Sequence, residues 1–302
     1  SPNTTEHLIH VHAVAPCAGE LLWPLNFPPP TPRELIPCFD MSGTIITAPP
    51  TSPFRPGDEV YARSDYLRNG AASDYTIGVT AELALKPKAL SWVESTAIPL
   101  SAQTAWQALF IHCGLGDLEG GMWKGKRVLV TAASGGVGMW VVQLAKLAGA
   151  SVVGTCGPDN LELVAGLGAD EVLDYRKSSL REWAGSDPHV KVDVVIDCIG
   201  KKSLEDAWWA VKDGGIVLSI FQPPKMVLPE GCEVKDVKDI FFVMAPNRSH
   251  LEAITKLVDE GKCRGHVDSV WPLEQFQEAF KRLDGGHARG KIILDLSLNS
   301  TI

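Results

Sequence analysis

Residues 126–150 read KRVLVTAASGGVGMWVVQLAKLAGA and carry the strongest fold signal in the chain. The apolar run at residues 128–130 predicts a buried strand, and apolar side chains recurring from Val137 to Ala148 predict a helix. Between them, residues 133–138 follow the pattern A-x-G-x-x-G, the glycine turn of dinucleotide-binding sites with alanine in the first glycine position. In that pattern, the second glycine lets the backbone approach a pyrophosphate, and the third lets the helix pack closely on the strand.

The start of this helix is where a phosphate would bind. The N–H groups around Gly136 and Val137 lack partners within the helix and can hold phosphate oxygens. A glycine pattern alone is as typical of an ordinary strand–turn–helix, so the surrounding elements have to decide between the two interpretations.

Strands and helices alternate after the glycine turn. Further strands are predicted at residues 150–155, 171–175, 192–198 and 215–220, with helices between most of them. This alternation predicts a parallel, doubly wound sheet of the Rossmann type, whose ligands bind beyond the carboxyl ends of the strands. Because the glycine turn lies at such an end, the sequence favours a dinucleotide site.

The composition argues against several classes of function. The 302 residues are 45% hydrophobic and 21% charged, which is ample for a core and suggests about two domains. A formal net charge of −8 argues against nucleic acid or an anionic membrane as the main partner, and no apolar run is long enough to span a bilayer. The seven cysteines are scattered without a C-x-x-C pair, which favours reduced thiols and a cytoplasmic location, unless a targeting segment preceded Ser1.

The first hundred residues have a different pattern. Short strands between Pro- and Gly-containing turns predict a β-rich domain, with a proline-crowded loop at residues 23–37 and a helical stretch at residues 92–110. The last strands of the chain are expected to return to this domain. We therefore assign residues 1–100 and 267–302 to one discontinuous domain and residues 101–266 to the Rossmann domain.

Six stretches together resemble the medium-chain dehydrogenase/reductase superfamily. They are, in chain order, residues 57–60, 100–106, 132–150, 168–175, 192–200 and 287–292. The resemblance extends from about residue 8 to residue 296. Within the superfamily, the chain most resembles the zinc-free branch of quinone-oxidoreductase-like and enoyl-reductase-like proteins. It implies a GroES-like catalytic domain beside the Rossmann domain. Relative to that family, the first strands before His7 are missing, so an N-terminal truncation is expected.

The resemblance also implies which residues contact a nicotinamide cofactor. They are Thr104, the turn residues Ser134, Gly135, Gly136 and Val137, the strand-end residues Thr155, Gly157, Asn160, Tyr175, Cys198, Ile199 and Ser219, and finally Phe241, Phe242, Val243, Arg289 and Lys291. Phe241 and Phe242 are equally consistent with core aromatic residues of a sixth strand at residues 240–244.

NADPH is expected in preference to NADH. NAD-selective sites place an Asp or Glu after the second strand, whereas residues 155–158 here read TCGP, with no carboxylate to repel a 2′-phosphate. Tyr175 could contact the adenosine, and Arg176 or Arg289 could supply positive charge. Two residues argue against this preference: Asn160 stands where relatives often carry a lysine, and Asp159 would favour NADH if it turned inward.

A zinc site has to be weighed because His10 and His12 lie on one face of a predicted strand, near Cys17. In zinc alcohol dehydrogenases of the superfamily, a cysteine near this point acts with a later Gly-His-Glu. The corresponding triplet here, residues 38–40, reads Cys-Phe-Asp, and phenylalanine cannot ligate zinc. The sequence therefore predicts no metal.

The expected reaction is NADPH-dependent, zinc-independent transfer of hydride to an α,β-unsaturated carbonyl or a quinone. Tyr66 is the proton donor by default, with water as an equal alternative, and Trp23 and Trp106 are expected to shape the substrate pocket. A zinc-type alcohol dehydrogenase and a non-catalytic nucleotide-binding protein are the alternative functions. The resemblance also implies a homodimer that pairs sheet edges near residues 217–220.

Overall fold

The computed structural model describes residues 5–29 and 34–298, and its chain divides into two units. The β-rich unit holds the described residues up to Gln103 together with those from Ala245 onward, and the Rossmann unit runs from Thr104 to Met244. Part of the proline-crowded loop, and both ends of the domain assigned from the sequence, lie outside the described residues.

The N-terminal part of the chain folds into short strands and helices. In chain order these are β1 (Glu6–Ala15), α1 (Trp23–Asn26), β2 (Asp40–Thr47), β3 (Glu59–Arg63), β4 (Tyr75–Val79), β5 (Ala84–Leu85), α2 (Trp92–Thr96) and α3 (Pro99–Trp106). Strand β1 pairs antiparallel with β2 and β4, and β3 pairs antiparallel with β2 and β5. Alternate side chains of β1, such as Ile9 and Val11, are buried, which is the two-residue period of a sheet that packs on a core.

Six parallel strands form the sheet of the Rossmann unit. The elements are β6 (Arg127–Val130), α4 (Gly136–Leu147), β7 (Ser151–Cys156), α5 (Leu161–Gly166), β8 (Glu171–Asp174), α6 (Leu180–Ser186), β9 (Val192–Asp197), α7 (Lys201–Ala207), β10 (Val211–Ser219) and β11 (Lys238–Phe241). Across the sheet the order is β11-β10-β9-β6-β7-β8, and all neighbouring strands are parallel. The predicted doubly wound sheet is confirmed. The glycine turn follows β6, the strand at which the order reverses.

The strand order corrects one expectation. Strand β10 lies between β9 and β11, so residues 217–220 are not at a sheet edge and cannot pair there with a second chain. The edge strands of this sheet are β8 and β11. The sequence did not reveal this, because strand order depends on how the connections cross over rather than on the pattern within a strand.

The chain then returns to the β-rich unit through α8 (Arg248–Asp259), β12 (Val267–Pro272), α9 (Phe276–Asp284) and β13 (Lys291–Asp295). Strand β13 pairs antiparallel with β1 and parallel with β12. The sequence assigned α8 to the Rossmann domain, but the structure places the break after Met244. Helix α8 packs on β5, and the hydroxyl groups of Thr255 and Tyr61 are 2.7 Å apart.

Each unit has its own apolar core. In the β-rich unit the core is formed by residues such as Ile9, Met41 and Ile292, and in the Rossmann unit by residues such as Leu129 and Val195. Within the described ranges, no helix has the length and apolar character needed to cross a membrane.

Candidate active site

The turn after β6 has the geometry that the glycine pattern requires. Helix α4 begins at Gly136, directly after Gly135, so the predicted residues 134–137 lie together at its start. A Cβ atom at Gly138 would stand 2.3 Å from the carbonyl oxygen of Ala132, and one at Gly135 would stand 3.2 Å from the same oxygen. The helix therefore packs against the turn too closely for a side chain at Gly138. The first N–H groups of a helix have no partner within the helix, so pyrophosphate binding at this helix start stays a prediction.

Alanine is accommodated at the first glycine position by a glycine on the next strand. A Cβ atom at Gly154 of β7 would lie 3.0 Å from the Cβ atom of Ala133 and 2.7 Å from Cγ1 of Val164, so the missing side chain of Gly154 makes room for the Ala133 methyl group and for Val164. The Ala133 N–H also donates to the Thr155 carbonyl oxygen at 2.8 Å, which ties the turn to the end of β7. The departure from the glycine pattern is compatible with cofactor binding.

A buried carboxylate joins the ends of β6, β9 and β10. Asp197 accepts hydrogen bonds from the Thr131 hydroxyl at 2.7 Å, the Ser219 hydroxyl at 2.8 Å and the Gly200 N–H at 2.9 Å. Thr131 Oγ1 accepts in turn from the Cys198 N–H at 2.9 Å. Burial raises the pKa of Asp197, while its hydrogen-bond donors lower it. Two predicted cofactor residues, Cys198 and Ser219, are thus held in one network.

Sequence reasoning missed Thr131 and Asp197 as members of this network. The available signal was an aspartate that ends the apolar run VDVVID at residues 192–197, because a carboxylate at the end of a buried strand needs hydrogen-bond donors.

Three predicted residues meet near the end of β7, where an adenosine would bind. The Asn160 N–H donates to the Gly157 carbonyl oxygen at 3.0 Å, and the Tyr175 hydroxyl lies 3.7 Å from where a Cβ atom of Gly157 would stand. Asn160 Oδ1 is buried and has no hydrogen-bond partner in the described part of the chain. A buried acceptor without a partner fits a hydroxyl or N–H group supplied by a nucleotide.

The remaining predicted cofactor residues of the Rossmann unit differ in exposure. Ile199, Phe241 and Val243 are exposed, whereas Thr104 and Phe242 are buried. The Phe242 ring lies against the His112 ring, with 4.1 Å between centroids. Phe242 thus packs in the unit, while Phe241 is open to a ligand.

Arg289 and Lys291 belong to the β-rich unit. The Lys291 ammonium is buried and lies 2.9 Å from Asp40 Oδ2 and 2.9 Å from the Pro16 carbonyl oxygen. The Arg289 backbone N–H donates to Asp268 Oδ1 at 2.8 Å. The contacts recorded for Lys291 lie within its own unit, and a cofactor contact by either residue stays a prediction.

A cavity of about 210 Å³ lies in the β-rich unit. It is lined by Glu20, Leu21, Trp23, Pro24, Phe27, Pro29, Leu35, Ile36, Pro37, Phe39, Tyr66 and Leu67. The Trp23 and Phe39 rings stack at 5.5 Å, and the Tyr66 ring meets Trp23 edge-on at 6.4 Å. Two residues chosen from the sequence, Trp23 and Tyr66, are therefore brought to one aromatic cavity.

Trp106 is not among the lining residues of this cavity. It ends α3, in the Rossmann unit, where its ring meets the Phe110 ring edge-on at 4.9 Å. Its role in a substrate pocket stays a prediction.

Glu20 lines the aromatic cavity and was not predicted as a site residue. It is 3% exposed, and its carboxylate accepts the Cys38 N–H at 2.9 Å and the Cys17 N–H at 3.0 Å. Burial raises the pKa of Glu20 to about 7, against the opposing effect of the two N–H donors. Its burial depends on chain segments far apart in sequence, so no local pattern could have revealed it.

The residues weighed for a metal have other contacts. His12 Nε2 lies 2.9 Å from Thr44 Oγ1, and the His12 ring stacks on Trp92 at 4.3 Å. Burial raises the pKa of the Cys17 thiol to about 11. Residues 5–29 and 34–298 contain no group of three His, Cys, Asp or Glu side chains placed to hold a metal ion. The zinc-free reaction stays a prediction.

Known proteins share this fold and much of this sequence. Residues 167–294 match the family model described as Zinc-binding dehydrogenase. The chain is 52% identical to "Probable zinc-binding oxidoreductase, mitochondrial" of Arthroderma benhamiae, covering 96% of this chain and 88% of that protein. It is 32% identical to "Quinone-oxidoreductase QR1, chloroplastic" of Triphysaria versicolor, covering 98% and 91%. A solved structure titled "Crystal Structure of NAD-dependent alcohol dehydrogenase" has a TM-score of 0.85 and 28% identity, covering 98% and 93%.

Similarity at this level over nearly the whole chain, together with the glycine turn at the reversal point of a parallel sheet, establishes the family. The chain belongs to the medium-chain dehydrogenase/reductase superfamily, in its quinone-oxidoreductase-like branch, and is an NAD(P)H-dependent oxidoreductase.

Proposed function

We propose that the protein transfers hydride from NADPH to an α,β-unsaturated carbonyl or a quinone without using a metal ion. The observation that carries this proposal is Phe39 in the wall of the aromatic cavity. It stands where zinc alcohol dehydrogenases of the superfamily have a histidine ligand, and it gives the cavity an apolar face instead. The similarity to a quinone oxidoreductase supports the acceptor class.

The residues of this chain contribute to the reaction by binding the cofactor and orienting it. A bound nicotinamide supplies the hydride. The N–H groups at the start of α4 are suited to hold the pyrophosphate, and the Asp197 network fixes the backbone at Cys198 and the hydroxyl of Ser219. Holding donor and acceptor in a reactive geometry accounts for a large part of the rate in reactions of this kind.

The acceptor needs one proton besides the hydride. In an enone, hydride forms a C–H bond at the β-carbon, the double-bond electron pair moves to give an enolate, and a proton then forms a C–H bond at the α-carbon. In a quinone, hydride and proton together give the quinol. We propose Tyr66, which lines the cavity, or a water molecule as the proton source.

NADPH is the proposed coenzyme because no acidic side chain follows β7 directly. Residues 155–158 read TCGP, and an acidic residue at this point would select NADH by binding the ribose. The buried Oδ1 of Asn160 and the neighbouring Tyr175 offer polar contacts to the adenosine side instead.

One experiment tests both parts of the proposal. Fluorescence titration with NADPH and NADH measures coenzyme affinity, and a panel of enones, enals and quinones then measures turnover. We expect NADPH oxidation with at least one of these acceptor classes and a higher kcat/KM with NADPH than with NADH. Equal or better kcat/KM with NADH would refute the coenzyme choice. Tight NADPH binding without turnover would favour a non-catalytic protein.

A zinc-type alcohol dehydrogenase is the second candidate, because the matching family model and the 52%-identical relative both carry zinc-binding names. Oxidation of simple alcohols with one tightly bound zinc per chain would support it.

Assembly and location remain predictions. We propose a homodimer without nucleic-acid or membrane partners, and a mass of 32.6 kDa by light scattering, which is that of the monomer, would contradict the dimer.

The sequence predicts a cytoplasmic location, whereas the names of two relatives place those proteins in mitochondria and chloroplasts. Imaging of a fluorescent fusion of the full-length protein would decide between these compartments.

A further inference from the structure

Arg63 ends β3, and its buried guanidinium lies in the field of the carboxylates of Asp40, Asp65 and Glu82. The residue is 3% exposed, and across the described ranges its Nε has no hydrogen-bond partner. The residue paired with it on β2 is Asp40. Asp40 Oδ2, however, contacts the Lys291 ammonium at 2.9 Å, and Oδ1 accepts the Leu100 N–H at 2.7 Å. Both oxygens of the nearby carboxylate are therefore engaged elsewhere.

A buried charged group with a donor that has no hydrogen bond is unfavourable in a folded protein. Burial lowers the pKa of Arg63, and the charge of Asp40 opposes this effect. A guanidinium nevertheless keeps its proton in proteins, because its pKa in water is far above neutrality. Arg63 thus brings positive charge and an unused N–H donor into the β-rich unit.

This charge lies beside the aromatic cavity. The central carbon of the guanidinium is 5.9 Å from the centre of the Trp23 ring and 5.8 Å from the centre of the Phe39 ring. Both rings line the cavity. Apolar walls strengthen the interaction between the guanidinium and any negative charge held inside the cavity, because the local dielectric is low.

We propose that Arg63 stabilises negative charge on an oxygen atom of a planar carbonyl compound bound in the aromatic cavity. This inference rests on the proposed function, because an enone or quinone develops that charge on its oxygen as hydride arrives. Arg63 keeps its proton throughout, and the proton that completes the product comes from Tyr66 or water. A donor aimed at developing charge typically contributes a factor of about 10² to 10³ in rate.

Glu20 does not cancel this effect. It lines the same cavity, but burial raises its pKa to about 7, so below that pH the carboxyl group holds a proton and carries no charge that would oppose an oxyanion. Arg63 is not itself among the lining residues of the cavity, so its charge acts on an oxyanion there from beside the Trp23 and Phe39 rings.

A purely structural role is the competing explanation, since the guanidinium also contacts two aromatic rings. Three variants separate the roles. Arg63→Met removes the charge and keeps most of the length, and Arg63→Lys restores the charge. Arg181→Met is the matched control, because Arg181 lies 4.4 Å from the Trp209 ring in the Rossmann unit and has no role in the proposed site.

The direct test uses 4-nitrophenol, a planar aromatic whose phenolate and phenol forms have different absorbance spectra. The apparent pKa of 4-nitrophenol, titrated with wild-type protein in excess, should fall by about one unit or more, because a nearby positive charge favours the phenolate. Arg63→Met should abolish that fall, Arg63→Lys should restore part of it, and Arg181→Met should behave like wild type. If Arg63→Met does not fold, as judged by circular dichroism, wild type and Arg63→Lys still give the comparison.

Turnover of the best acceptor then separates this inference from the proposed function. Arg63→Met should lower kcat by a factor of about 10² while the NADPH dissociation constant stays within twofold of wild type. A wild type that shifts the phenolate equilibrium but reduces no acceptor would support the oxyanion site and reject the reductase. An active wild type whose phenolate shift and kcat survive in Arg63→Met, or a wild type that causes no shift, would overturn the role of Arg63.

Discussion

At the scale of single residues, a methyl group at position 138 probes the turn that we expect to hold the pyrophosphate. A Cβ atom there would stand 2.3 Å from the Ala132 carbonyl oxygen, so Gly138→Ala has to push α4 away from the turn. Overpacking of this kind typically lowers the free energy of unfolding by about 1–3 kcal/mol, and we expect NADPH affinity to fall at least tenfold. Urea denaturation and fluorescence titration measure the two effects.

Gly166→Ala is the matched control. A Cβ atom at Gly166, the last residue of α5, would meet no atom within 4 Å, and alanine is the better helix former. This variant should be as stable as wild type or more so, with unchanged NADPH affinity. If Gly138→Ala had the same urea midpoint of unfolding as wild type, the turn and α4 would have moved apart at no cost in stability, which would contradict the prediction.

Glu20 predicts a pH dependence of stability. Its folded pKa of about 7 is above the ordinary value of 4.5, so between these pH values the folded protein holds a proton that the unfolded chain has lost. Stability from this group is therefore present below about pH 4.5, is lost as pH rises toward 7, and does not fall further above that. The glutamine of Glu20→Gln cannot ionise, so the variant does not lose this stability. The difference in unfolding free energy, variant minus wild type, should therefore rise by about 3 kcal/mol between about pH 4.5 and 7.

Denaturant titrations at several pH values measure this difference, and Glu182→Gln provides a control of opposite sign. Hydrogen bonds from Ser179 lower the pKa of Glu182, so the wild-type residue should gain stability as pH rises through its acidic range. A flat difference for Glu20→Gln between about pH 4.5 and 7 would mean that Glu20 is not desolvated as the structure indicates.

At the scale of elements, helix α8 shows where the division into units can be tested. Ile254 is fully buried in α8, which packs on β5. Ile254→Ala should lower the free energy of unfolding by about 2–4 kcal/mol. In hydrogen exchange, amides of β3 and β5 should lose protection, whereas amides of β10 and β11 should not. Loss of protection in β10 and β11 instead would place α8 with the Rossmann unit, as the sequence prediction had it.

The strand and helix around the glycine turn could be predicted because the whole signal lies within residues 126–150. The unit on which α8 packs could not be predicted from the sequence. A helix that follows a strand continues the βαβ pattern whether it packs on the Rossmann unit or on the β-rich unit. The predicted helix at residues 92–110 is likewise two helices, α2 and α3, followed by a wider π-turn at Gln107–His112. Pro99 begins the second helix, a position that proline favours.

At the scale of the whole molecule, the metal-free reaction gives a prediction for the intact protein. Phe39 cannot replace a histidine ligand, so prolonged incubation with a strong chelator followed by desalting should leave NADPH-dependent reductase activity unchanged. Elemental analysis before and after treatment measures the metal that is removed. Loss of activity together with one equivalent of zinc, and its return on adding zinc, would replace our proposal with the alcohol dehydrogenase.

The candidate site was predictable only in part at this scale. Trp23 and Tyr66 were chosen from the sequence and line one cavity. Glu20 and Arg63 were missed because their burial follows from the folding of distant segments, such as the pairing of β2 with β3 that sets Arg63 opposite Asp40. Polar side chains become informative when the fold removes them from water, and a linear pattern does not show that.

The contact between Ala133 and Gly154 has a consequence for how such chains evolve. A Cβ atom at Gly154 would stand 3.0 Å from the Ala133 Cβ atom and 2.7 Å from Val164 Cγ1, so a change at position 133, 154 or 164 should constrain the other two across a lineage. Whether alanine fits the first position of the dinucleotide pattern then depends on the neighbouring strand and on the helix that follows it. Sequence searches that demand glycine at that position would pass over functional relatives whose neighbouring residues leave room for alanine.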